Sequence, residues 1–403
     1  MRLAVVSPFI DRRHGTERAL AELLDRLAGK YRCEIHLYAQ RVEDLQVSPP
    51  DSRHSANSGV IFWHKVPSLP GPHVAQFLAW MVLNGLLRRW HALIGRASFD
   101  LVVSPGINCL HPDAVIVHAL FHRLQELARE EEEEVTAQGG FFRRLHRHVY
   151  YGLLARLERR IYKDKRVSLA AVSDRTATLL KDYFHREDVC VIPNGVDTKH
   201  FTPGARLERR AEARKRRGFR DEDFVLLLLG NDWRVKGLPT ILETMAALRG
   251  LPLRLLVVGN DAPEFFLALA RKLGVEQQWL WEMPQSEVLE VYAAADVYVS
   301  PSREDSFGLP VAEAMACGLP VITSISAGVA DCIRDGVDGF VLREPRDAQT
   351  LAAMIERLRT DGDLRRSTGE AAGRTILEWN WDRNAAAAWQ FLQDAAAQGQ
   401  TRR

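Results

Sequence analysis

Apolar runs of strand length alternate with stretches of helical period along the whole of this 403-residue chain. That alternation constrains the fold more than any other feature. Runs buried on both faces, separated by crossover helices, are the pattern of parallel sheets in α/β proteins. In the first half the expected strands are Leu3–Ser7, Glu34–Tyr38, Leu101–Ser104, Ala114–His118, Ser168–Val172 and Val189–Ile192. In the second half they are Phe224–Leu229, Leu253–Val258, Val297–Ser300 and Pro320–Thr323. Both halves open on a buried strand, a turn containing Gly and a helix, from Val5 to Glu17 and from Leu226 to Lys236. Two Rossmann-like domains are therefore expected, 1–200 and 201–380, joined near the polar, Arg-rich segment Thr202–Asp223. A last helical stretch, Trp381–Ala397 within 381–403, is expected to pack back on the first domain.

Charge excludes one broad class of function. With Lys+Arg 54 against Asp+Glu 52 the net charge is +2, too even for general neutralisation of a nucleic-acid backbone. The five cysteines include no CxxC pair, so neither a disulfide framework nor a thiolate zinc site is signalled and a reducing cytosol is expected. The apolar run after Met1 is too short for a secretory signal and is expected to be the first strand. The uncharged stretch Val66–Leu87 is broken by Pro67, Pro70, Gly71 and Pro72, and its remainder falls short of the ~20 residues that span a bilayer. The acidic run Glu130–Glu134 precedes a basic stretch, Phe141–Arg166, which reads as a solvated helix face or, alternatively, a patch for an anionic membrane surface. Trp63, Trp80 and Trp90 are expected in core or acceptor-cleft packing rather than as a stacking platform.

The segment Ser300-Pro-Ser-Arg-Glu-Asp-Ser-Phe-Gly-Leu-Pro-Val-Ala-Glu leaves the carboxyl end of a strand, turns at Gly308 and enters a helix with Pro310 suited to its first position. Leu309 would then stand at the cap. A leucine cannot satisfy the first-turn N–H groups, which leaves them available to a phosphate, with Asp305 and Glu313 bracketing it. The segment Gly230-Asn-Asp-Trp-Arg-Val-Lys-Gly237 also follows a strand and supplies Arg234 and Lys236, cations suited to clamping a diphosphate. There is no G-x-G-x-x-G, Walker A or HExxH motif, so dinucleotide oxidoreduction, P-loop phosphoryl transfer and zinc proteolysis lose their main support. The acids of Asp221-Glu-Asp223 and Asp361-Gly-Asp363 read as loop acids, and no metal site is expected.

Taken in order, Ala171-Val-Ser-Asp174, Val191-Ile-Pro-Asn-Gly-Val-Asp-Thr-Lys-His-Phe201, Gly230 to Gly237, Tyr292-Ala-Ala-Ala-Asp-Val297, Asp305 to Glu313 and the Trp381 region resemble family 4 retaining glycosyltransferases, the glycosyl transferases group 1 of GT-B fold. The resemblance is most specific from Ala171 to Gly339. It implies two Rossmann-like domains facing a central cleft. It further implies that Lys236 with Arg234 binds the donor diphosphate, with Gly15 close to it from the first domain. Asp305 stands where the family has the first Glu of an E-x7-E pair that contacts the donor sugar, and Glu313 matches the second, which holds the ribose. The backbone of Ser306, Phe307, Gly308 and Leu309 would meet phosphate and sugar, and His118 resembles a histidine near the transferred sugar. Three positions depart from the pattern: His14-Gly15 replaces a glycine pair, Asn231 replaces an arginine, and Asp305 replaces a glutamate. Glu304 is a neighbouring candidate for the sugar contact.

The implied activity is that of a retaining, metal-independent hexosyltransferase. It would move a sugar from a nucleotide-diphosphate sugar to a glycan or glycolipid acceptor in cell-envelope polysaccharide or lipopolysaccharide synthesis, with the nucleotide sugar as substrate and no cofactor. A cytoplasmic location, peripheral at the inner face of the cell membrane, is expected. A nucleotide-sugar epimerase of the same fold and a non-catalytic sugar-nucleotide-binding partner are the alternatives.

Overall fold

The structure, a computed structural model, describes residues 1–49, 59–94, 98–134, 141–284 and 287–401, without the side chains of 131–134, 141–149 and 400–401. The chain divides into two compact units, Met1–Pro193 with Trp381–Arg403, and Asn194–Asn380. Residues 194–200 go with the second unit, where the Val196 N–H donates to the Trp379 carbonyl at 2.8 Å.

Among the described residues the first unit is built on a seven-stranded sheet. From one edge to the other its strands are Val60–Lys65, Glu34–Ala39, Arg2–Val6, Leu101–Ser104, Ala114–Val117, Ser168–Ala171 and Cys190–Val191, all parallel. The second unit carries a six-stranded parallel sheet in the order Trp279–Glu282, Leu253–Val258, Phe224–Leu229, Val297–Ser300, Val321–Ser324 and Phe340–Leu342. Both sheets start at an inner strand, build to one edge, then return and build to the other. The order therefore reverses beside Arg2–Val6 in the first sheet and beside Phe224–Leu229 in the second, where such sheets bind ligands at the carboxyl ends of the strands.

The central strands are those the apolar runs announce; Phe224–Leu229 is Phe-Val-Leu-Leu-Leu-Leu, with five of its six residues buried. Three edge strands escape the pattern: Val60–Lys65, Trp279–Glu282 and Phe340–Leu342. An edge strand pairs on one side only, so it can be short or carry polar residues such as His64 and Lys65. The helix Trp381–Thr401 buries Trp381, Ala385, Ala388 and Leu392 at helical spacing and packs on the helix Gly15–Gly29. Trp389 stacks on Tyr31 at 5.2 Å between centroids, and Arg26 pairs with Asp382 at 3.0 Å.

Two of the expected tryptophans are packed. The Trp80 indole N–H donates to the Asn108 carbonyl at 2.9 Å, and that of Trp63 to the Ala39 carbonyl at 3.0 Å. Trp90 contradicts the expectation: it is 59% exposed on the helix His73–Leu93, because the inward face of that helix is taken by Trp80, Met81 and Asn84. Glu158, within the basic stretch, is fully buried and accepts the Phe121 and His122 N–H groups at 2.6 and 2.9 Å, capping the helix Phe121–Glu134. The side chains of 131–134 and 141–149, which carry much of the expected acidic and basic surface, lie outside the described residues.

Candidate functional site

In the second domain two loops leave neighbouring strands at the reversal point: 230–237 after Phe224–Leu229, and 301–308 after Val297–Ser300. The first is held by its own side chains. Trp233 is completely buried, and its indole N–H donates to the Gly230 carbonyl at 2.9 Å. The Asp261 carboxylate accepts the Asp232 and Trp233 N–H groups at 3.1 and 2.5 Å, while Asn231 accepts the Asn260 N–H at 2.9 Å. Asn231, which stands in place of an arginine, thus ties the loop to the next strand's loop. Burial, reinforced by the Asp261 charge, pushes the Asp232 carboxyl up.

Gly237 closes this loop with φ +85°, and a Cβ there would lie 2.3 Å from the Pro301 carbonyl oxygen. The two loops are therefore in direct contact at Gly237. They are joined again by the Arg303 N–H, which donates to the Val235 carbonyl at 2.7 Å, and by an ion pair between Lys236 Nζ and Asp305 Oδ2. Arg234 lies over the Phe265 ring, its guanidinium carbon 4.0 Å from the centroid. Lys236 and Asp305 thus come together on one patch, whereas Arg234 is held by a residue that sequence reasoning missed.

The loop 301–308 is fixed from its other side: Asp305 N–H donates to Ser326 C=O at 3.0 Å, Gly328 N–H to Asp305 C=O at 2.9 Å, and Val329 N–H to Phe307 C=O at 2.6 Å. The helix Leu309–Ala316 then begins, and here the expectation is corrected. The cap is Gly308, not Leu309, and Pro310 follows one position into the helix. The physical reason is the backbone, since Gly308 has φ +93°, in the left-handed region that glycine enters without steric cost. No side chain caps the helix. Val311 N–H is already bonded to the Gly308 carbonyl at 3.0 Å, so the first-turn group left without a chain partner among the described residues is that of Leu309, together with the N–H groups of Phe307 and Gly308 before it. Such consecutive amides at a helix start favour an anion.

Ser306 is partly exposed, while Phe307 and Leu309 are buried, which leaves the backbone as their contribution. Glu313 is buried one turn into the helix and accepts a hydrogen bond from the Tyr292 hydroxyl at 2.7 Å. The same hydroxyl lies 3.1 Å from the Pro310 carbonyl oxygen. Tyr292 thus locks the carboxylate to the helix start. The sequence held a signal for it, the Tyr-Ala-Ala-Ala-Asp-Val string, but not its role. Glu304 is buried beside Asp305. The expected loop acids have local work: Asp223 accepts the Arg220 N–H at 2.8 Å, and Asp361 caps the helix Gly362–Ile376.

Gly15 and His118 lie in the first domain. Gly15 opens its helix after His14, which gives no side-chain cap, and the N–H groups of Gly15 and Thr16 have no chain partner among the described residues. The preceding turn is folded around buried Asp11, which accepts the Arg13 and His14 N–H groups at 2.8 and 3.0 Å and sits 2.9 Å from His14 Nδ1. Burial opposes the Asp11 charge, but these bonds win and hold its carboxyl below the usual range. His118 follows the strand Ala114–Val117 and lines a cavity of about 320 Å³ with Glu17, Phe77, Trp80 and Tyr150. Burial pushes the His118 imidazole down to about 4, so it is neutral at pH 7, with one ring nitrogen donating and the other accepting. Burial, reinforced by Asp11, also pushes the Glu17 carboxyl up.

Residues 209–375 match the family model described as glycosyl transferases group 1. The chain is 33% identical over 223 residues to D-inositol 3-phosphate glycosyltransferase of Salinispora arenicola (strain CNS-205), a match covering 51% of this chain and 50% of that one. It is 30% identical over 248 residues to lipopolysaccharide glucosyltransferase WaaG of Escherichia coli (strain K12), covering 60% and 65% of the two chains. The chain spans about half the length of the curated relatives first among these matches. A crystal structure of WaaG, a glycosyltransferase involved in lipopolysaccharide biosynthesis, superposes with a TM-score of 0.72 over 96% of this chain and 98% of that one, at 22% identity. That agreement over both domains establishes the GT-B fold.

Proposed function

We propose that this chain, a glycosyl transferases group 1 protein by its residues 209–375, is a retaining, metal-independent hexosyltransferase acting on a nucleotide-diphosphate sugar. Its acceptor is a glycan or glycolipid of cell-envelope polysaccharide or lipopolysaccharide synthesis. The observation that carries the reading is the Lys236–Asp305 pair, set at the reversal point of the second sheet beside the amides of Phe307, Gly308 and Leu309, which have no chain partner among the described residues. The similarity to curated glycosyltransferases at 30–33% identity supports it.

Breaking the bond from the sugar's anomeric carbon to phosphate places negative charge on the leaving diphosphate. Lys236, Arg234 and the helix start at Leu309 supply positive potential where that charge develops, the preorganised stabilisation that dominates many enzymes. The acceptor oxygen bonds to the anomeric carbon on the face the diphosphate leaves, and a phosphate oxygen takes the acceptor proton, so no side chain need serve as base. Asp305 meets the sugar, where positive charge grows. Glu313, set by Tyr292, holds the ribose. Within the first domain, neutral His118 offers a hydrogen-bonding group to a sugar hydroxyl, and the amides of Gly15 and Thr16, without a chain partner among the described residues, offer a contact to an anion.

The test is a thermal-shift panel of UDP, GDP and ADP, followed by turnover with the one that binds. A nucleotide held selectively should stabilise the protein by ~2.7 kcal/mol at a hundred times its Kd. Free nucleoside diphosphate should then accumulate from the matching sugar only when acceptor is present. No response to any of the three would overturn the reading, and release without transfer would point to a different reaction. Excess EDTA should change turnover by less than about twofold, against the several kcal/mol lost when a Lewis acid is removed. Loss restored by Mg²⁺ or Mn²⁺ would end the metal-independent mechanism.

Asp305→Asn keeps the size and removes the charge. An interaction strengthened in the transition state should be lost from kcat as well as from KM. Asp305→Glu should retain more activity than Asn, and Glu304→Gln is the control. If Glu304→Gln is the damaging change and Asp305→Asn is silent, the sugar contact belongs to Glu304.

A further inference from the structure

Apart from His118, the walls of the cavity of about 320 Å³ take no part in the steps proposed above, yet their chemistry suits one class of molecule. Every residue lining it belongs to the first unit. Its volume sits at the lower end of the ~300–1,000 Å³ of small-molecule sites, room for a sugar ring rather than a long chain.

Two kinds of surface meet in these walls. Phe77, Trp80 and Tyr150 supply aromatic faces, suited to the C–H face of a ring. Beside them stand groups that accept hydrogen bonds. The Gln40 side chain donates an N–H to the Pro67 carbonyl at 3.3 Å, and that of Gln76 donates one to the Gly71 carbonyl at 2.9 Å. The side-chain oxygen of each has no donor among the described residues. Glu17, in the first turn of the helix Gly15–Gly29, lines the same cavity, and no Lys or Arg among the described residues forms an ion pair with it. Neutral His118 adds one donor and one acceptor.

The described lining contains no Lys or Arg, and Glu17 is its acid. A sugar hydroxyl has a proton to give and lone pairs to receive with, so it satisfies such walls. A phosphate monoester brings up to two negative charges and strong acceptor oxygens, which would face Glu17 and the two amide oxygens with no cation to offset them. Burial, reinforced by Asp11, already pushes the Glu17 carboxyl up, and a second anion beside it would push it further. From this lining we infer that the part of the acceptor entering the cavity is an uncharged sugar ring, and that Glu17 is the specificity-determining residue that turns phosphorylated sugars away. The inference rests on the reading of the chain as a glycosyltransferase and adds to it the charge class of the acceptor. In that reading the amides of Gly15 and Thr16 serve the donor's diphosphate, which leaves the described walls without Lys or Arg for an acceptor phosphate.

The experiment uses the full chain without donor. Binding is measured by ligand-detected magnetic resonance with the methyl α-pyranosides of glucose, galactose and mannose and with their 6-phosphates. At least one neutral glycoside should bind, and more tightly than its 6-phosphate by at least about tenfold, the consequence of setting like charges side by side. Glu17→Gln keeps the size and an acceptor oxygen but removes the charge, so it should weaken the neutral glycoside roughly three- to tenfold and narrow the preference. Glu17→Lys should bring the 6-phosphate at least level with the neutral glycoside. Glu187→Lys makes the same charge change outside this cavity and should leave the preference as in the wild type. Melting curves of the variants confirm that each is folded. Three results would overturn the inference: a 6-phosphate bound by the wild type as tightly as its neutral glycoside; a preference unchanged in both Glu17→Gln and Glu17→Lys; or no binding of any neutral glycoside. A protein that shows the preference but no response to UDP, GDP or ADP would end the transferase reading and leave the cavity's selectivity standing, and one that responds to a nucleotide but lacks the preference would do the reverse.

Discussion

Lys236→Ala is expected to fold and to lose roughly 10²–10³ of its turnover, the ~2.7–4 kcal/mol typical of removing one group aimed at a developing negative charge. The loop does not depend on the ammonium for its shape, since it is held by buried Trp233, by Asp261 and by the contact of Gly237 with Pro301. The mutation does leave Asp305 without the cation it is paired with. An uncompensated carboxylate could itself disturb the site, so the double mutant Lys236→Ala/Asp305→Ala completes the cycle. If the loss comes from the missing cation, kcat in the double mutant stays at or below that of Lys236→Ala, since Asp305 has a proposed sugar contact of its own. Recovery in the double mutant would show that the stranded Asp305 was the cause. Full activity in Lys236→Ala itself would remove the residue from the site.

Gly237→Ala is expected to have the largest effect on stability. An L-residue at φ +85° bears a conformational cost of roughly 1–2 kcal/mol, and here the added Cβ would also fall 2.3 Å from the Pro301 carbonyl oxygen and 2.7 Å from Pro301 Cγ. The Pro301 carbonyl and its ring leave little room to yield, so a total loss of about 3–5 kcal/mol is expected, in the range reserved for severe steric defects. Gly250→Ala is the matched control: φ is +96°, but nothing lies within 4 Å of the added Cβ. It should show only the conformational cost. Melting and denaturant curves of the two variants separate strain from clash. Equal losses would mean that the approach of the two loops is looser than the structure has it.

What the sequence discloses and what it withholds divide along physical lines. Phe224–Leu229 and Leu253–Val258 are legible because a strand covered on both faces must be apolar throughout. Trp279–Glu282 is not, because an edge strand of Trp, Leu, Trp and Glu has no such obligation. The placement of Lys236 and Asp305 at strand ends follows from the alternation of strand and helix, but their pairing depends on the adjacency of Phe224–Leu229 and Val297–Ser300, a long-range fact. Sequence alone puts the helix start one residue late, since Pro310 is acceptable at either of the first two positions while the positive φ of Gly308 decides between them. Hydrophobicity alone directs Trp90 inward. The turn of the helix decides otherwise, for Trp80 and Asn84 already occupy the inner face. The string around Tyr292 is visible in the sequence, but the hold of Tyr292 on Glu313 joins residues 21 apart and has no local signature.

The path of the chain has a consequence for dissecting the protein. The second unit begins at Asn194 and ends at Asn380, and its two ends are already fastened: Val196 pairs with Asn380 in a parallel bridge and donates its N–H to the Trp379 carbonyl. It is an insert with its mouth stitched shut, so residues 194–380 form a natural excision fragment whose termini need no engineered linker to meet. Trimming from the carboxyl end has the opposite logic. A stop codon after Asn380 leaves that insert whole and instead deletes the helix Trp381–Thr401 from the unit that begins at Met1, so a truncation that looks peripheral on a linear map strips a wall from the amino-terminal half of the molecule.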